Sequence, residues 1–494
     1  MGLSVFPAPS GGLTQKVFTY TTPGLSTFTL PSGFGVGNPL MTEVTILGGG
    51  GGAGVGFWSS STSGGAAGGG GGGGIFNRTI PITANMNVMV GRGGGIIAPA
   101  ELSQDGGNGG ISYIGNGSPK NLFINPTFGG LERSKGSSET SVSPPFTSTN
   151  PLENIPPAYF GNSAVLQNVT TVAGKSQLYP VLPSTGYAFS LHFRTDSGTS
   201  VYRLLMDWHD SSYTFISTTL GSDFTNSTSW AQQQVGATSP SNAAYVRFRW
   251  QYRSSDNTTY VSNAMLESGT TTASSYVDGY TTGYSWAGHP FGSVTLLNTE
   301  TMYVANGGGG GKGINSSGGN YGIAGFAGAC SGGGGFAATS SSNNYAGGAG
   351  GGLGGNAERP FVTLPSGNDS TDINYNDAAF EYNRHREFSS GTFGMEVNGG
   401  TNRFPGPSVG GPANSEGYGA GGSGAQFYKS SGNGYISISE TNSNAARNRL
   451  RLMISGKDNT GAGGSAMNLK FSDANPTSLG GAGGSGLVII KYWS

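Results

Sequence analysis

The sequence predicts a mainly β protein in which a glycine-rich domain, built from β-strands and packed polyglycine II helices, is split by an inserted antiparallel β-sandwich. Three observations support this fold class. Glycine accounts for 93 of the 494 residues, far above the usual share of roughly 7%, and it is concentrated in runs toward the two ends of the chain. Short β-rich segments lie next to those runs. The central region has no long glycine run and alternates apolar with polar residues instead.

The glycine runs are the feature around which the rest of the chain is organised. A single run in water is a flexible linker, because glycine loses much backbone freedom on folding and has no side chain to bury. Several runs in one chain have an alternative: each adopts a threefold helix of the polyproline II type and bonds to its neighbours. We favour this packed arrangement, and we exclude collagen because no strict Gly-X-Y period is present. The runs are residues 48–52, 68–74, 307–311, 332–335 and, with interruptions, 347–355.

Composition narrows the class of protein further. Only 10% of the residues are charged and the net charge is −1, whereas 25 Phe, 22 Tyr and 6 Trp are available for burial, so we expect a folded chain without affinity for nucleic acid. The single cysteine, Cys330, excludes an internal disulfide framework. No apolar run approaches the roughly 20 residues of a membrane span. The first 12 residues lack the features of a signal peptide, which predicts synthesis in a cytoplasm without one.

Short strands are predicted in order along the chain, and convincing helical periodicity is absent from the first block. That block, residues 1–116, carries strands at 17–20, 26–30, 43–47, 75–82 and 87–90 and closes with 106–114. The insert, residues 117–299, carries strands at 163–169, 187–194, 202–208, 213–218, 244–252 and 259–266. The last block, residues 300–494, carries strands at 435–439, 450–454, 466–471 and 487–493 and a polar, aromatic segment at 374–393 that we interpret as an exposed loop.

Two of these features define the domain organisation. Segment 43–47 precedes a glycine run, and segment 487–493 follows one, so we expect the two strands to pair and to make residues 1–116 and 300–494 one domain. In segment 244–252, Tyr245, Arg247, Arg249 and Gln251 alternate with apolar residues, which is typical of a half-buried strand. The insert is therefore predicted to be an antiparallel sandwich.

The order of features in the glycine-rich parts resembles a known family. TFTLP, EVTIL followed by five glycines, FNRTIPITANMNVMVGRGG and the closing GGSGLVIIKYW resemble the glycine-rich domain of phage tail proteins, including minor tail proteins of long-tailed phages. The likeness covers residues 17–115 and about 300–494. It implies a virion protein of a phage tail, with other tail proteins as partners, a homotrimer as the oligomer, and packed polyglycine helices like those of some phage adhesins.

The insert carries a second resemblance. NLFINPTF at 121–128, GYAFS at 186–190, VSNAMLESG at 261–269 and the following ASSY resemble the jelly-roll carbohydrate-binding modules of phage tail proteins and glycosidases. The resemblance implies a jelly roll and glycan binding. Where such modules often have an Asp pair, this chain has Ser262 and Asn263, which argues against a calcium site.

Sugar recognition needs aromatic faces together with polar groups that bond hydroxyls. The candidate ligand-binding residues are Trp208, Tyr213 and Trp230, with Asp207, His209 and Gln251 as polar partners. Trp250 and Tyr252 are further aromatic candidates, but Trp250 lies on the apolar side of its strand. Alternate aromatics of a sandwich are more often core than ligand-binding. Trp208 stands among polar residues, in DWHD, which favours exposure.

Catalysis and cofactors are not expected. Asp207 and Asp210 are three apart, so on a strand they point to opposite faces and cannot readily flank one bond; a solvated turn is the simpler interpretation. Arg384-His385-Arg386-Glu387 has no matching nucleophile or metal spacing. We therefore expect no enzyme, cofactor or metal, but a phage tail-tip protein that binds host surface glycan. A purely structural tail protein is the alternative, and a cell-wall glycosidase is a third class.

Overall fold

The computed structural model describes an all-β molecule, as predicted, with no helix in the described part of the chain. The structure describes residues 14–54, 65–67, 70–95, 106–123, 146–147, 152–153, 163–166, 173–254, 259–287, 293–311, 313–315, 321–322, 335–336, 425–426, 436–438, 455–464, 466–471 and 477–494. The glycine runs at 332–335 and 347–355 lie wholly or mostly outside these residues, as do the predicted loop at 374–393, the cluster at 384–387 and the strand at 450–454.

The strands divide among three stretches of the chain. The first stretch contains β1 Gln15–Tyr20, β2 Gly24–Phe28, β3 Leu40–Leu47, β4 Gly65–Ala67, β5 Ile75–Ile82, β6 Met86–Val90 and β7 Ser112–Gly115. The central stretch contains β8 Phe146–Thr147, β9 Leu152–Glu153, β10 Ser163–Leu166, β11 Ala173–Pro180, β12 Gly186–Thr195, β13 Ser200–His209, β14 Phe215–Asn226, β15 Ala231–Thr238, β16 Tyr245–Ser254, β17 Thr259–Ser268, β18 Tyr284–Trp286 and β19 Thr295–Leu297. The last stretch contains β20 Met302–Ala305, β21 Gly313–Asn315, β22 Tyr321–Gly322, β23 Gly335–Phe336, β24 Ala425–Gln426, β25 Ile436–Ile438, β26 Ala466–Phe471, β27 Thr477–Gly480 and β28 Leu487–Trp493.

Two four-stranded sheets join the ends of the chain. One has the order β1-β28-β3-β5 and the other β2-β6-β7-β20. Strand β28 lies between β1 and β3, with Val488 opposite Ile46 and Ile490 opposite Val44, so the predicted pairing of the closing strand is confirmed. Alternate residues of these strands form one buried apolar cluster between the sheets. The domain boundaries themselves stay a prediction.

The glycine runs bond to one another through their backbones. Along residues 48–53, Gly48 and Gly51 donate to Gly74 and Gly71, Gly49 and Gly52 donate to Gly110 and Gly107, and Gly50 and Ala53 donate to Gly484 and Gly481, all over 2.7–2.9 Å. Three further segments donate to the same run, through Gly94, Gly308 and Gly464. Each neighbour is thus met every third residue, which is the repeat of a threefold helix. The packing of the described runs is observed, whereas their polyproline II backbone angles stay a prediction.

The insert is the predicted antiparallel β-sandwich of jelly-roll type. Its two five-stranded sheets have the orders β15-β12-β17-β10-β9, here called the β12 sheet, and β14-β13-β16-β11-β8, here called the β13 sheet. The core between them is aromatic, and its largest fully buried side chains include Trp208, Trp250, Phe189 and Phe248. The rings of Phe189 and Phe248 stack across the two sheets at 4.3 Å.

The insert also departs from the predicted strands. Strand β15 (AQQQVGAT) was not predicted, because its glutamines hide the alternation that marks a half-buried strand. Strand β14 begins at Phe215 rather than at 213, since Tyr213 adopts a φ of 65° in the preceding turn. Among the small sheets, β25 and β26 pair in parallel, and the other described strand pairs are antiparallel.

Candidate functional site

Trp208 lies in the core of the sandwich, contrary to the expectation of an exposed ring. Alternate residues of β13 face inward, so Tyr202, Met206 and Trp208 are buried while the residues between them face out. The Trp208 indole is 1% exposed, and its Nε1 donates to Thr219 Oγ1 over 2.9 Å. The expectation that the Trp208 ring is exposed is therefore wrong, and its contact with a sugar stays a prediction. Its polar neighbours misled the sequence argument because they occupy the opposite face of the same strand.

Asp207 points to the outer face of the β13 sheet but is buried there. Arg249 Nη2 and Thr218 Oγ1 donate to Asp207 Oδ1 over 2.7 and 2.8 Å, and Arg247 Nη2 lies 3.6 Å from Oδ2. Two guanidinium groups thus neutralise a carboxylate that is 2% exposed. Asp210 stands in the turn after β13, where its Oδ1 accepts from the amides of Ser212 and Thr214. The two carboxylates therefore belong to separate structural interactions.

His209 and Tyr213 lie at the junction between the sandwich and the glycine-rich domain. The Nδ1 atom of His209 is 3.2 Å from the backbone oxygen of Tyr213. The Tyr213 ring packs on Gly95 so closely that a Cβ added there would lie 2.7 Å from it. The neighbouring Tyr245, whose ring is 5.1 Å away, donates its hydroxyl to the Gly93 carbonyl over 3.0 Å. We assign Tyr213 a role in holding the two domains together.

The last two predicted residues lie on different sheets. Gln251 is half-buried on the outer face of the β13 sheet, opposite Arg203 of the neighbouring strand. Trp230 precedes β15 at one edge of the β12 sheet, where the Arg194 guanidinium lies 5.7 Å from its ring centroid. The six predicted residues thus do not form one site. They are distributed over the core, the domain junction and the outer faces of both sheets.

Around Gln251 the structure brings together a polar group that we call the Asp223 cluster: Arg203, Asp223, Gln251 and Arg253. Arg203 Nε donates to Asp223 Oδ1 over 2.7 Å, and Arg253 Nε donates to Oδ2 over 3.4 Å. The hydrogen bond from Arg203 is the main reason that the pKa of Asp223 is held below its ordinary value. The side chains of Asp223 and Arg253 are 43% and 40% exposed. Planar donors and an acceptor are therefore presented to solvent on one face.

One exposed apolar side chain lies beside the Asp223 cluster. Leu220 of β14 is 57% exposed and stands opposite Leu205, two residues from Arg203 along β13. Phe215, which is 55% exposed, stands opposite His209, roughly 20 Å from Arg203 along the same strand. An aliphatic group beside fixed polar groups can contact the C–H face of a sugar while the polar groups bond its hydroxyls. Asp223 could not be recognised from the sequence, because its partners Arg203 and Arg253 stand 20 and 30 residues away. The alternation of arginines with Gln251 in β16 was the only visible hint.

A cavity of about 390 Å³ lies between the two domains. Met89 and Tyr113 line it from the glycine-rich domain, and Leu182 and Tyr187 line it from the sandwich. The Tyr187 hydroxyl already accepts from the Leu182 amide over 2.7 Å, and burial raises the pKa of both tyrosines to about 12. These tyrosines therefore stay neutral and help to pack the junction.

The position of the doubtful calcium site contains no acidic side chain. Ser262 Oγ donates to Asn263 Oδ1 over 3.0 Å, and both residues are fully buried, with Asn263 at a φ of 54°. Within the described ranges, no three His, Cys, Asp or Glu side chains converge to hold a metal ion. Those ranges also contain no helix long and apolar enough to cross a membrane.

Comparison with known proteins yields one sequence family and several structures. The model of a family described as a glycine-rich domain matches residues 21–177, less than half of the chain, and the match runs past the predicted boundary at 116. No curated protein matches. The chain is similar to the CBM22-1 xylan-binding domain of Paenibacillus barcinonensis Xyn10C (9% identity, 31% of this chain, 100% of that chain, TM-score 0.24).

Two further similarities are of the same order. One is to the C-terminal family 22 carbohydrate-binding module of Clostridium thermocellum Xyn10B, at 16% identity over 32% of this chain and 100% of that chain, with a TM-score of 0.25. The other is to the enzymatically active domain of tailspike protein 4 of bacteriophage CBA120, at 14% identity over 25% of this chain and 18% of that chain, with a TM-score of 0.20. Similarity at this level says nothing about a ligand.

Proposed function

We propose that this chain is a noncatalytic virion protein of a bacteriophage tail tip, in which a glycine-rich scaffold displays a sandwich that binds a glycan of the host cell surface. The observation that carries the proposal is the Asp223 cluster beside exposed Leu220. Asp223 accepts from two arginines of two other strands, so its position is fixed before a ligand arrives. Such preorganised polar groups bond sugar hydroxyls at low entropic cost.

The virion assignment rests on the sequence resemblance of residues 17–115 and about 300–494 to phage tail proteins. It implies other tail proteins as partners and a homotrimer, in which three weak sugar sites would gain avidity without new contacts. Light scattering of the purified chain tests this part: a mass of three chains supports it, and a monomer at high concentration contradicts the trimer.

The glycan proposal is tested with the full chain on an array of bacterial surface polysaccharides. We expect saturable binding of one polysaccharide class and a loss of about tenfold or more in Asp223→Ala, because the variant lacks the carboxylate that accepts charge-assisted bonds from sugar hydroxyls. The matched control is Asp196→Ala, an exposed acid in the turn between β12 and β13. Equal loss in both variants, or binding unaffected by Asp223→Ala, would remove the Asp223 cluster from the proposal.

A noncatalytic role is supported by the engagement of both DWHD carboxylates. Asp207 is bonded to Arg249 and Thr218, and Asp210 to the turn that follows it. Incubation of the chain with the bound polysaccharide should release no reducing ends. Release that disappears in Asp207→Asn would contradict the proposal and establish a glycosidase.

A structural tail protein is the second candidate. Phe215 and Leu220, two large apolar side chains exposed on β14, favour it, because exposed apolar surface is typical of protein contacts. The double variant Phe215→Ser/Leu220→Ser separates the two functions. If the double variant fails to join tail particles and the unaltered chain binds no polysaccharide, the structural role is established. Normal assembly with lost polysaccharide binding would support glycan recognition.

A further inference from the structure

Three side chains form a row across one end of the β12 sheet, on the side away from the core. Arg194 is opposite Tyr260 of β17, and the pairing of Phe193 with Ala231 places Trp230 opposite Arg194 on the other side. The Arg194 guanidinium lies 5.7 Å from the Trp230 ring centroid and 5.1 Å from that of Tyr260. Both distances fall within the range of cation–π attraction. Arg194 is therefore held between two aromatic rings, and we call these three residues the Arg194 row.

The row is accessible, and no carboxylate in the described part of the chain neutralises its charge. All three residues are half-buried, and Phe193, the neighbour of Arg194 in β12, points into the core. Among the described residues Arg194 forms no ion pair, whereas Arg203, Arg249 and Arg253 of the opposite sheet each bond to an aspartate. A guanidinium presents a rigid fork of donors that matches a carboxylate in two parallel bonds. The row thus offers an anion receptor between two apolar faces.

The dimensions of the row fit a saccharide. The three side chains stand at adjacent positions across the sheet and span roughly 10 Å, two strand spacings of about 4.8 Å, which is about the length of a disaccharide. Aromatic rings stack on the C–H faces of sugars, and the central arginine would meet a carboxylate on one of them. The row is bounded on one side by Tyr276, whose ring lies edge-on to His192 at 6.2 Å. His192 is the next residue of β12 on the same face.

We propose that the Arg194 row binds a carboxylate-bearing sugar, such as a uronic acid unit of an acidic polysaccharide. Arg194 takes the carboxylate in two bonds, and Trp230 and Tyr260 contact the sugar rings. This site lies on the opposite sheet from the Asp223 cluster and goes beyond the function proposed for that cluster. The chain would then engage two segments of polysaccharide, one on each side of the sandwich, and discriminate acidic from neutral repeats.

The probes are methyl β-D-glucuronide and methyl β-D-glucoside. The first has a carboxylate where the second has a hydroxymethyl group. Each is titrated into the full chain, and binding is followed by NMR. We expect the glucuronide to bind at least about tenfold more tightly than the glucoside. Arg194→Gln should abolish the preference, Arg194→Lys should retain part of it because a lysine is a point charge without the fork, and Trp230→Ala should weaken both probes. Arg78→Gln, which replaces an exposed arginine 5.8 Å from the Phe76 ring centroid in the glycine-rich domain, is the matched control and should bind as the unaltered chain does.

Equal binding of the two glycosides, no binding of the glucuronide, or glucuronide binding unchanged in Arg194→Gln would overturn the proposal. Tighter binding of glucose 6-phosphate than of the glucuronide would overturn the assignment of the anion as a carboxylate. Thermal midpoints of the Arg194 variants within a few degrees of the unaltered chain separate lost binding from lost folding, and Arg194→Lys provides a folded comparison if Arg194→Gln is unstable. Asp223→Ala should keep glucuronide binding, so this site and the Asp223 cluster fail separately.

Discussion

The two domains of this chain are stabilised by different parts of the polypeptide. In the sandwich, aromatic side chains such as Phe189 and Phe248 fill the space between two sheets, and the backbone bonds run within each sheet. In the glycine runs the backbones themselves are the packed layer, because the amide of one run bonds to the carbonyl of the next with no side chain between them. One domain buries side chains, and the other buries peptide groups that are satisfied by neighbouring runs.

This difference determines which amino-acid substitutions each domain accommodates. A side-chain core can relax around a smaller residue of similar shape, since rotamers adjust. The packed glycine runs, here called the glycine lattice, cannot relax in this way. A Cβ added to one of their glycines would meet a backbone carbonyl oxygen that already accepts a hydrogen bond. A Cβ placed on Gly51 would lie 2.0 Å from the Gly309 oxygen, and the same holds for Gly50 against the Ala462 oxygen.

The substitution with the largest expected effect adds one methyl group to the glycine lattice. Gly51→Ala should destabilise the protein by on the order of 5 kcal/mol, enough to unfold the glycine-rich domain, because the clash is with backbone that cannot rotate away. Thermal unfolding and soluble yield measure it. The matched control is Gly37→Ala, where a Cβ meets nothing within 4 Å and no effect above about 0.5 kcal/mol is expected. Equal stability of the two variants would mean that the runs are not packed in solution.

A second substitution tests the side-chain core of the sandwich. Phe248→Ala should cost about 3–4 kcal/mol, because it leaves a cavity against Phe123 and Phe189, whereas Phe248→Leu should cost about 1 kcal/mol. Chemical denaturation of the three proteins gives the values. If Phe248→Leu destabilised the protein as much as Phe248→Ala, the sandwich core would tolerate substitution no better than the glycine lattice. The contrast drawn between the two domains would then be wrong.

A third prediction concerns pH and His192 of the sandwich. Burial lowers the pKa of His192 from 6.5 to about 4, so the folded chain keeps it neutral where the unfolded chain takes up a proton. The resulting stability is fully present above pH 6.5 and is lost as the pH falls from there toward 4, by about 2.5 kcal/mol at pH 4.5. Urea unfolding at pH 7.5 and 4.5 measures the loss. Between these two pH values, His192→Gln should lose less unfolding free energy than the unaltered chain, by the amount attributed to His192. An identical loss in the two proteins would contradict the assignment of the pH dependence to His192.

The smallest expected effect tests the contact between the two domains. Tyr245→Phe removes the hydroxyl that donates to the Gly93 carbonyl and should cost about 1 kcal/mol. The thermal midpoint should fall by a few degrees. Tyr280→Phe, on a side chain that is 65% exposed, serves as the control and should leave the midpoint unchanged. Equal midpoints in the two variants would show that the junction adds nothing to the stability of either domain.

The sequence by itself determined the fold class and the association of the chain ends. Period-two alternation in β16 indicated a half-buried strand, because hydrophobic alternation is a local property of the chain. The apolar strand at 487–493, after a glycine run, matched the one at 43–47, before a glycine run. The sequence did not determine toward which face of its sheet Trp208 points, because its neighbours in the segment are polar. Shifting a strand by one residue exchanges its two faces, and only the pairing of β13 with its neighbours sets that register.

Only the tertiary structure decided the sites. The Asp223 cluster joins Arg203, Asp223 and Arg253 from three strands, and the Arg194 row joins Arg194, Trp230 and Tyr260 from three adjacent elements. Neither set shares a local motif, since contacts across a sheet depend on strand order and not on spacing along the chain. The same holds for the glycine runs: the sequence supplied backbones without side chains, and the fold decided which amide meets which carbonyl.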